Sequence, residues 1–156
     1  MSIEQAIHQK EFKDLYEKAI VNVLYTASWI SYRQSMLFKS HGITMQQYNI
    51  LRILKGQSPE PITVNQLIER MIDKSSNASR IVERLRLKGL LKREVCPEDR
   101  RRVDIFITDK GEKVLIAATE ELKQMHTKSR KLNGEEVGRL NALLDKLRGE
   151  NENTEH

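Results

Sequence analysis

Near the middle of this 156-residue chain the spacing of apolar side chains changes period, and few folds accommodate such a change. Up to Gly89 the apolar residues recur at steps of three and four. From Leu91 they alternate: Leu91, Arg93 and Val95 interleave with Lys92, Glu94 and Cys96. After the charged run Pro97-Glu98-Asp99-Arg100-Arg101, a second alternation carries Val103, Ile105 and Ile107. A period of two belongs to an extended strand and a period near 3.6 to a helix. Two short strands joined by a charged tip make one β-hairpin. A lone hairpin is marginal in water, so it must lean on helices. The chain is therefore mainly α with a single small hairpin.

Upstream, the first glycine is Gly42 and the first proline is Pro59. Phe12, Leu15, Tyr16, Ala19, Ile20, Val23, Leu24, Ala27 and Ile30 share one helical face. A helix of roughly 30 residues would be about 45 Å long, more than one small core covers. Thr44 with Gln47, and Thr63 with Gln66, each give the capping-box pattern of a helix start. Ser75 or Ser76 is the expected cap of a third helix with inner face Ala78, Ile81, Val82 and Leu85, ended by Gly89. Thr108 is the expected cap of a long helix with a heptad-like seam at Leu115, Ala118, Leu122, Met125, Ser129 and Leu132. Asn133 with Glu136 starts the last helix.

Three short helices followed by a hairpin form a winged helix-turn-helix, with the third helix as reader and the hairpin as wing. Charge agrees. Residues 70–102 hold 11 Lys/Arg against 5 Asp/Glu, whereas the rest of the chain holds 16 against 17. A basic excess gathered on reader and wing suits double-stranded DNA, because phosphate neutralisation supplies most of the affinity. An isolated charged helix face is usually only a solvated surface. Here small polar residues at a helix start, a basic outer face and a basic hairpin coincide. The outer face is Ser76, Asn77, Ser79, Arg80, Glu83 and Arg84. Its Ser, Asn and Arg donors suit base edges. Lys74, Arg86 and Lys88 are the expected phosphate contacts, with Thr63 and Asn65 at the start of the preceding helix.

Apolar residues make up only 38% of the chain, a thin core beside long amphipathic runs. The leftover stripes predict burial against a second copy, at Phe12, Leu15, Leu122, Met125, Leu140, Leu143, Leu144 and Leu147; an intrachain bundle is the alternative. The expected organisation is a helical part of the dimerisation region over 1–40, a DNA-binding lobe over 41–110, dimerisation helices over 111–150 and a disordered tail over 151–156.

Other classes find little footing. The single cysteine, Cys96, excludes a disulfide scaffold within the chain. No apolar run approaches the roughly 20 residues that span a bilayer, and the start MSIEQAIHQKEF lacks a signal-peptide pattern, so a cytoplasmic protein with no membrane partner is expected. His8, His41, His126 and His156 lack metal-ligand spacing, and no catalytic or phosphate-loop motif occurs. No metal, cofactor or enzymatic activity is expected. The competing reading is a winged-helix module for protein–protein assembly without operator specificity.

The stretch Asp99-Arg100-Arg101-Arg102-Val103-Asp104-Ile105-Phe106-Ile107-Thr108-Asp109-Lys110-Gly111 closely resembles the wing of the multiple antibiotic resistance regulator (MarR) family: Asp-x-Arg, an apolar strand, then Leu-Thr-x-x-Gly, with Ile107 in place of Leu. Ser79-Arg80-Ile81-Val82-Glu83-Arg84-Leu85 followed by Lys88-Gly89-Leu90 is similar to the family's reading helix. The loop before that helix, with Asp73, Lys74, Ser75 and Ser76, is one residue longer than the common pattern. The resemblance implies a homodimer on a pseudo-palindromic operator, usually a repressor. It also implies that Arg101 enters the minor groove and that Asp99 orients it, with Arg100 and Arg102 beside them. A narrow groove concentrates negative potential and attracts arginine. Family members often bind small aromatic or phenolic effectors between the dimer helices and the lobe. Trp29, Tyr32, Arg33, Met36 and Tyr48 are the candidates here, with simple core packing as the alternative for Trp29, Met36 and Tyr48. The family's peroxide sensors carry their cysteine in the N-terminal helices, where this chain has none.

Overall fold

The computed structural model describes residues 1–73, 77–96, 102–128 and 130–149. The elements run α1 (Ile3–Ile7), α2 (Leu15–Ser40), α3 (Met45–Gln57), α4 (Val64–Arg70), α5 (Ala78–Leu87), β1 (Leu91–Val95), β2 (Val103–Ile107), α6 (Asp109–Lys128) and α7 (Gly134–Arg148). They fall into two units, Met1–Leu122 and the residues from Lys123 onward.

In the first unit the long helix starts later than its apolar stripe suggests. Asp14 is extended and its carboxylate accepts the Glu17 N–H at 2.8 Å. This cap places Phe12 outside α2, although the apolar pattern had included it. The short α1 was also legible in principle, since Ser2 and Gln5 make a capping box. Thr44 and Gln47 cap α3, and Thr63 and Gln66 cap α4, as their spacing predicts.

The lobe closes around Ile50 and Leu51 of α3, Leu67 of α4, Val82 and Leu85 of α5, and Leu91 and Ile105 of the hairpin, all fully buried. β1 and β2 pair antiparallel in the register Leu91↔Ile107 to Val95↔Val103. The loop between α3 and α4 adds a further backbone bridge. Ile62 and Ile105 exchange N–H···O bonds of 3.3 and 3.0 Å, which fastens the wing to the lobe. Leu91 and Ile105 pack at the hairpin's base, whereas Val95, farther along β1, is 59% exposed. The alternation read along β1 therefore sets the strand's period but not a buried face, because the strand runs past the edge of the core.

The start of α6 is held tightly. Thr108 Oγ1 donates to the Gly89 carbonyl at 2.7 Å and accepts the Gly111 N–H at 3.1 Å. A side chain at Gly111 would meet the Leu90 carbonyl oxygen at 2.0 Å, so only glycine fits this approach. Further along, Glu112 pairs with Lys55 at 2.8 Å, and Thr119 meets the Tyr48 hydroxyl at 3.0 Å.

In the second unit α7 is closed by the expected capping box of Asn133 and Glu136. None of its residues is buried, and Leu140 and Leu143 stand in solvent. A helix this short is marginal alone in water.

Candidate nucleic-acid interface

The setting of α5 follows from its buried stripe and its two ends. Ala78, Val82 and Leu85 are buried, which turns Ser79, Arg80, Arg84 and Arg86 outward. Asn77, not Ser75 or Ser76, is the observed cap: its side-chain oxygen accepts the Arg80 N–H at 3.0 Å. Its amide group is all that remains for a base edge. At the other end Gly89 adopts φ 70°, its N–H bonds the Arg86 carbonyl and the Leu90 N–H bonds the Leu85 carbonyl. This is the Schellman closure that a terminal glycine permits.

The basic residues of this region fall into two sets. Arg80 and Arg84 sit one turn apart on the outer face, and neither has an ion-pair partner among the described residues. They edge a shallow cleft of about 290 Å³ together with Thr44, Gln46, Gln47, Asn77 and Ile81. These two guanidinium groups are available to a ligand.

Arg86 and Lys88, expected on phosphates, also hydrogen-bond within the chain, and both are exposed. Arg86 grips Glu83 with two hydrogen bonds, Nε–Oε2 at 3.0 Å and Nη2–Oε1 at 2.8 Å. The Arg86 hydrogen bond holds the Glu83 carboxyl below the usual carboxylate range and raises Arg86 in return. Arg93 of β1 approaches the same carboxylate at 3.8 Å, linking reader to wing. Lys88 Nζ donates to the Gly42 carbonyl at 2.6 Å and to Gln47 Oε1 at 3.1 Å. Glu83 at three residues before Arg86 was a readable ion-pair spacing; the reach of Lys88 to Gly42 and Gln47 had no local signal.

On the wing, Arg102 is paired with Asp104, Nε–Oδ1 at 2.8 Å. Asp99, Arg100 and Arg101 lie outside the described residues, as do Lys74 and Ser76. Thr63 uses its hydroxyl to cap α4, and Asn65 is exposed on that helix's first turn.

A second cleft, about 710 Å³ and open, lies between α2 and the start of α3. Of the five residues expected to line an effector site, Tyr32 and Met36 do so. Tyr48 is a correction: it belongs to the core, its ring stacked on Phe38 with centroids 4.4 Å apart. Trp29 and Arg33 are not among the lining residues; the guanidinium lies 4.9 Å from the Trp29 ring centre, a cation–π pair. Ser28, Ser31, Ser35 and Lys39 complete the α2 wall. Their helical spacing with Tyr32 was visible in sequence, but small hydroxyl residues carry no strong signal. Among the described residues no three His, Cys, Asp or Glu side chains come together as a metal site.

A MarR family model matches residues 41–102, from the turn before α3 to the residue before β2. The chain is 29% identical over 116 residues to the HTH-type transcriptional regulator MgrA of Staphylococcus aureus, covering 74% of this chain and 77% of that protein. Among solved structures, the MarR transcription factor of Planctomyces limnophilus is 28% identical with a TM-score of 0.66, over 88% of this chain and 96% of that one. The organohalide-sensing regulator RdhR-CbdbA1625, bound to 2,4-dichlorophenol, shares the fold at a TM-score of 0.78 and 21% identity, over 90% and 85%. With a capped α5 and a hairpin fastened at its base, the chain has a winged-helix fold and is similar, most clearly over residues 41–102, to the MarR family of transcriptional regulators.

Proposed function

We propose that the chain acts as a cytoplasmic homodimer that sets its two α5 helices into the major groove of a pseudo-palindromic operator, represses there, and is released by a small aromatic or phenolic effector. It works by binding and catalyses nothing. The observation that carries this reading is the pair Arg80 and Arg84, without an ion-pair partner among the described residues, on the outer face of a helix whose inner face and ends are fixed. Two-pronged arginine contacts to guanine are the commonest specific readout in the major groove. Ser79 and the amide of Asn77 complete that surface, and Ser76 is a further candidate base contact. Asn65 and Lys74 take phosphates. At the tip, Arg101, oriented by Asp99 and flanked by Arg100, takes the minor groove.

A dimer is favoured by apolar side chains that a single chain leaves uncovered. Leu15 is exposed in the first unit; on α7 of the second Leu140 and Leu143 are exposed and Leu144 and Leu147 are half-buried. A two-fold axis would present two reading helices about 34 Å apart, one turn of duplex. The effector reading rests on the cleft edged by Tyr32, Met36 and Lys39, where apolar surface beside a cation suits a phenolate or aromatic carboxylate. The similar fold of RdhR-CbdbA1625 holds 2,4-dichlorophenol. An effector acts by favouring a spacing of the reading helices that mismatches the operator.

Selection of bound fragments from a random duplex pool, with and without 2,4-dichlorophenol as probe, tests this reading. An enriched inverted repeat is expected, with weaker recovery in the presence of the phenol. No enrichment, with a log-log salt slope near zero, would leave the assembly module as the better account, since each phosphate contact contributes about −0.9 to that slope.

A further inference from the structure

A lysine at the end of a reading helix, inside the most basic stretch of the chain, is ordinarily a phosphate contact. Lys88 does something else with its charge. Its ammonium crosses to the start of α3 and donates to the Gly42 carbonyl at 2.6 Å and to Gln47 Oε1 at 3.1 Å. Gln47 is only 3% exposed. The same oxygen takes the Thr44 N–H at 3.2 Å, while Thr44 Oγ1 takes the Gln47 N–H at 3.2 Å. A capping box needs only its own two residues. This one has a third member from a helix 41 residues away in sequence.

Helix-end electrostatics alone would not select this contact. A cation at a helix N-terminus opposes the dipole, and Lys88 reaches the N-terminal end of α3. Two charge-assisted hydrogen bonds hold it there nonetheless. The backbone of Lys88 is engaged as well: its N–H bonds the Arg84 carbonyl at 3.2 Å, and its carbonyl accepts Lys110 Nζ at 2.9 Å. One residue thus ties the end of α5 to α3 through its side chain and to α6 through its backbone. Thr44, Gln46 and Gln47 of the gripped turn edge the same cleft as Arg80 and Arg84.

We infer that Lys88 and Gln47 are positioning residues for DNA reading. Their strut sets the height and rotation at which α5 presents Arg80 and Arg84, and Lys88 itself touches no phosphate. The inference rests on the reading of α5 as the DNA-contacting helix.

The test compares the full-length protein with Lys88→Met, Lys88→Arg and Gln47→Leu on the selected operator and on an unrelated duplex, each across a salt series. Binding is scaled to the folded fraction measured by circular dichroism. Lys88→Met should weaken operator binding about five- to tenfold, the scale of a lost charged hydrogen bond. Its log-log salt slope and its affinity for the unrelated duplex should stay at the parent values. Gln47→Leu, which removes no positive charge, should give the same loss. The double variant should lose less than the sum of the two single losses, as expected of residues that share one contact. Lys88→Arg, whose fork can reach both acceptors, should restore binding. Should Lys88→Met fail to fold, Lys88→Gln takes its place. A slope smaller by about 0.9 with equal loss on both duplexes would make Lys88 a phosphate contact and overturn the inference. Parent-like operator affinity in Lys88→Met and Gln47→Leu would overturn it too. Absence of duplex binding by the parent would instead sink the functional reading itself.

Discussion

Asp104, 7% exposed, holds the guanidinium of Arg102 with two hydrogen bonds, Nε–Oδ1 at 2.8 Å and Nη2–Oδ2 at 3.4 Å. The hairpin register sets Glu94 directly opposite Asp104, a like-charge pairing that destabilises a sheet. Each carboxylate is offset by a cation two residues earlier in the chain, Lys92 for Glu94 at 2.6 Å and Arg102, just before β2, for Asp104. Positions two apart on a strand share a face, so four charges neutralise one another along one side of the wing.

Asp104→Asn should therefore act in two directions. Losing a largely buried carboxylate beside a half-exposed arginine should cost about 1 kcal/mol of stability, discounted for solvent at the arginine. Removing that negative charge from the wing should raise affinity for any duplex and steepen the salt slope. Thermal unfolding and a salt titration on an unrelated duplex measure both; unchanged binding would mean that this side of the wing lies away from the DNA.

Glu83 neutralises part of the basic surface from within. Glu83→Gln would release Arg86 and leave Arg93 without that carboxylate. We expect tighter binding to unrelated duplexes and a steeper salt dependence, with less discrimination in favour of the operator. The pH dependence has a definite sign. The Glu83 carboxyl is depressed, chiefly by the Arg86 hydrogen bond, so its stabilisation is fully present above the ordinary carboxylate range. It fades as pH falls through the lowered value. Acidification should therefore mimic Glu83→Gln in the parent and have less effect in the variant, as a salt titration repeated at falling pH would reveal.

Much of the secondary structure is local and was legible for that reason. The capping boxes of Thr44–Gln47, Thr63–Gln66 and Asn133–Glu136, the terminal Gly89 and the two strands each depend on residues within a few positions of one another. What escaped depends on distant partners. The Ile62–Ile105 bridge joins backbones 43 positions apart and needs no particular side chain. A lysine's long stem lets its ammonium serve either solvent or a neighbouring helix, so the reach of Lys88 to Gly42 and Gln47 was not visible in its position on α5. Tyr48 shows the same limit in reverse. An aromatic ring on an amphipathic helix suits a ligand cleft or a core equally, and the packing of Phe38 decided it.

Glu4 and Lys18 pin the N-terminal turn to α2 at 2.6 Å, with Ile3 buried beside them. The Lys18 hydrogen bond, more than any other influence, lowers the Glu4 carboxyl to about 2. Its contribution is present above the ordinary carboxylate range and lost as pH falls from there toward 2. Lys18→Met should remove it at neutral pH. Limited proteolysis should then cut the N-terminal residues faster in the variant at pH 7. The parent should reach the same susceptibility only in acid, and equal cutting rates at pH 7 would show that the ion pair does not hold α1.

Leu143 is 55% exposed on α7, so a charge there should not disturb a single chain's core. In the proposed homodimer the same position faces a second copy, where an unpaired carboxylate costs several kcal/mol to bury. Leu143→Asp should therefore leave the helical circular dichroism of the winged lobe in place while shifting sedimentation to a species near 18.2 kDa. Operator affinity should fall much further than affinity for a half-site, because two linked reading helices gain by simultaneous engagement what one cannot. A variant that still sediments as a dimer would remove α7 from the interface. A monomer that bound the full operator as tightly as the parent would remove the need for pairing altogether.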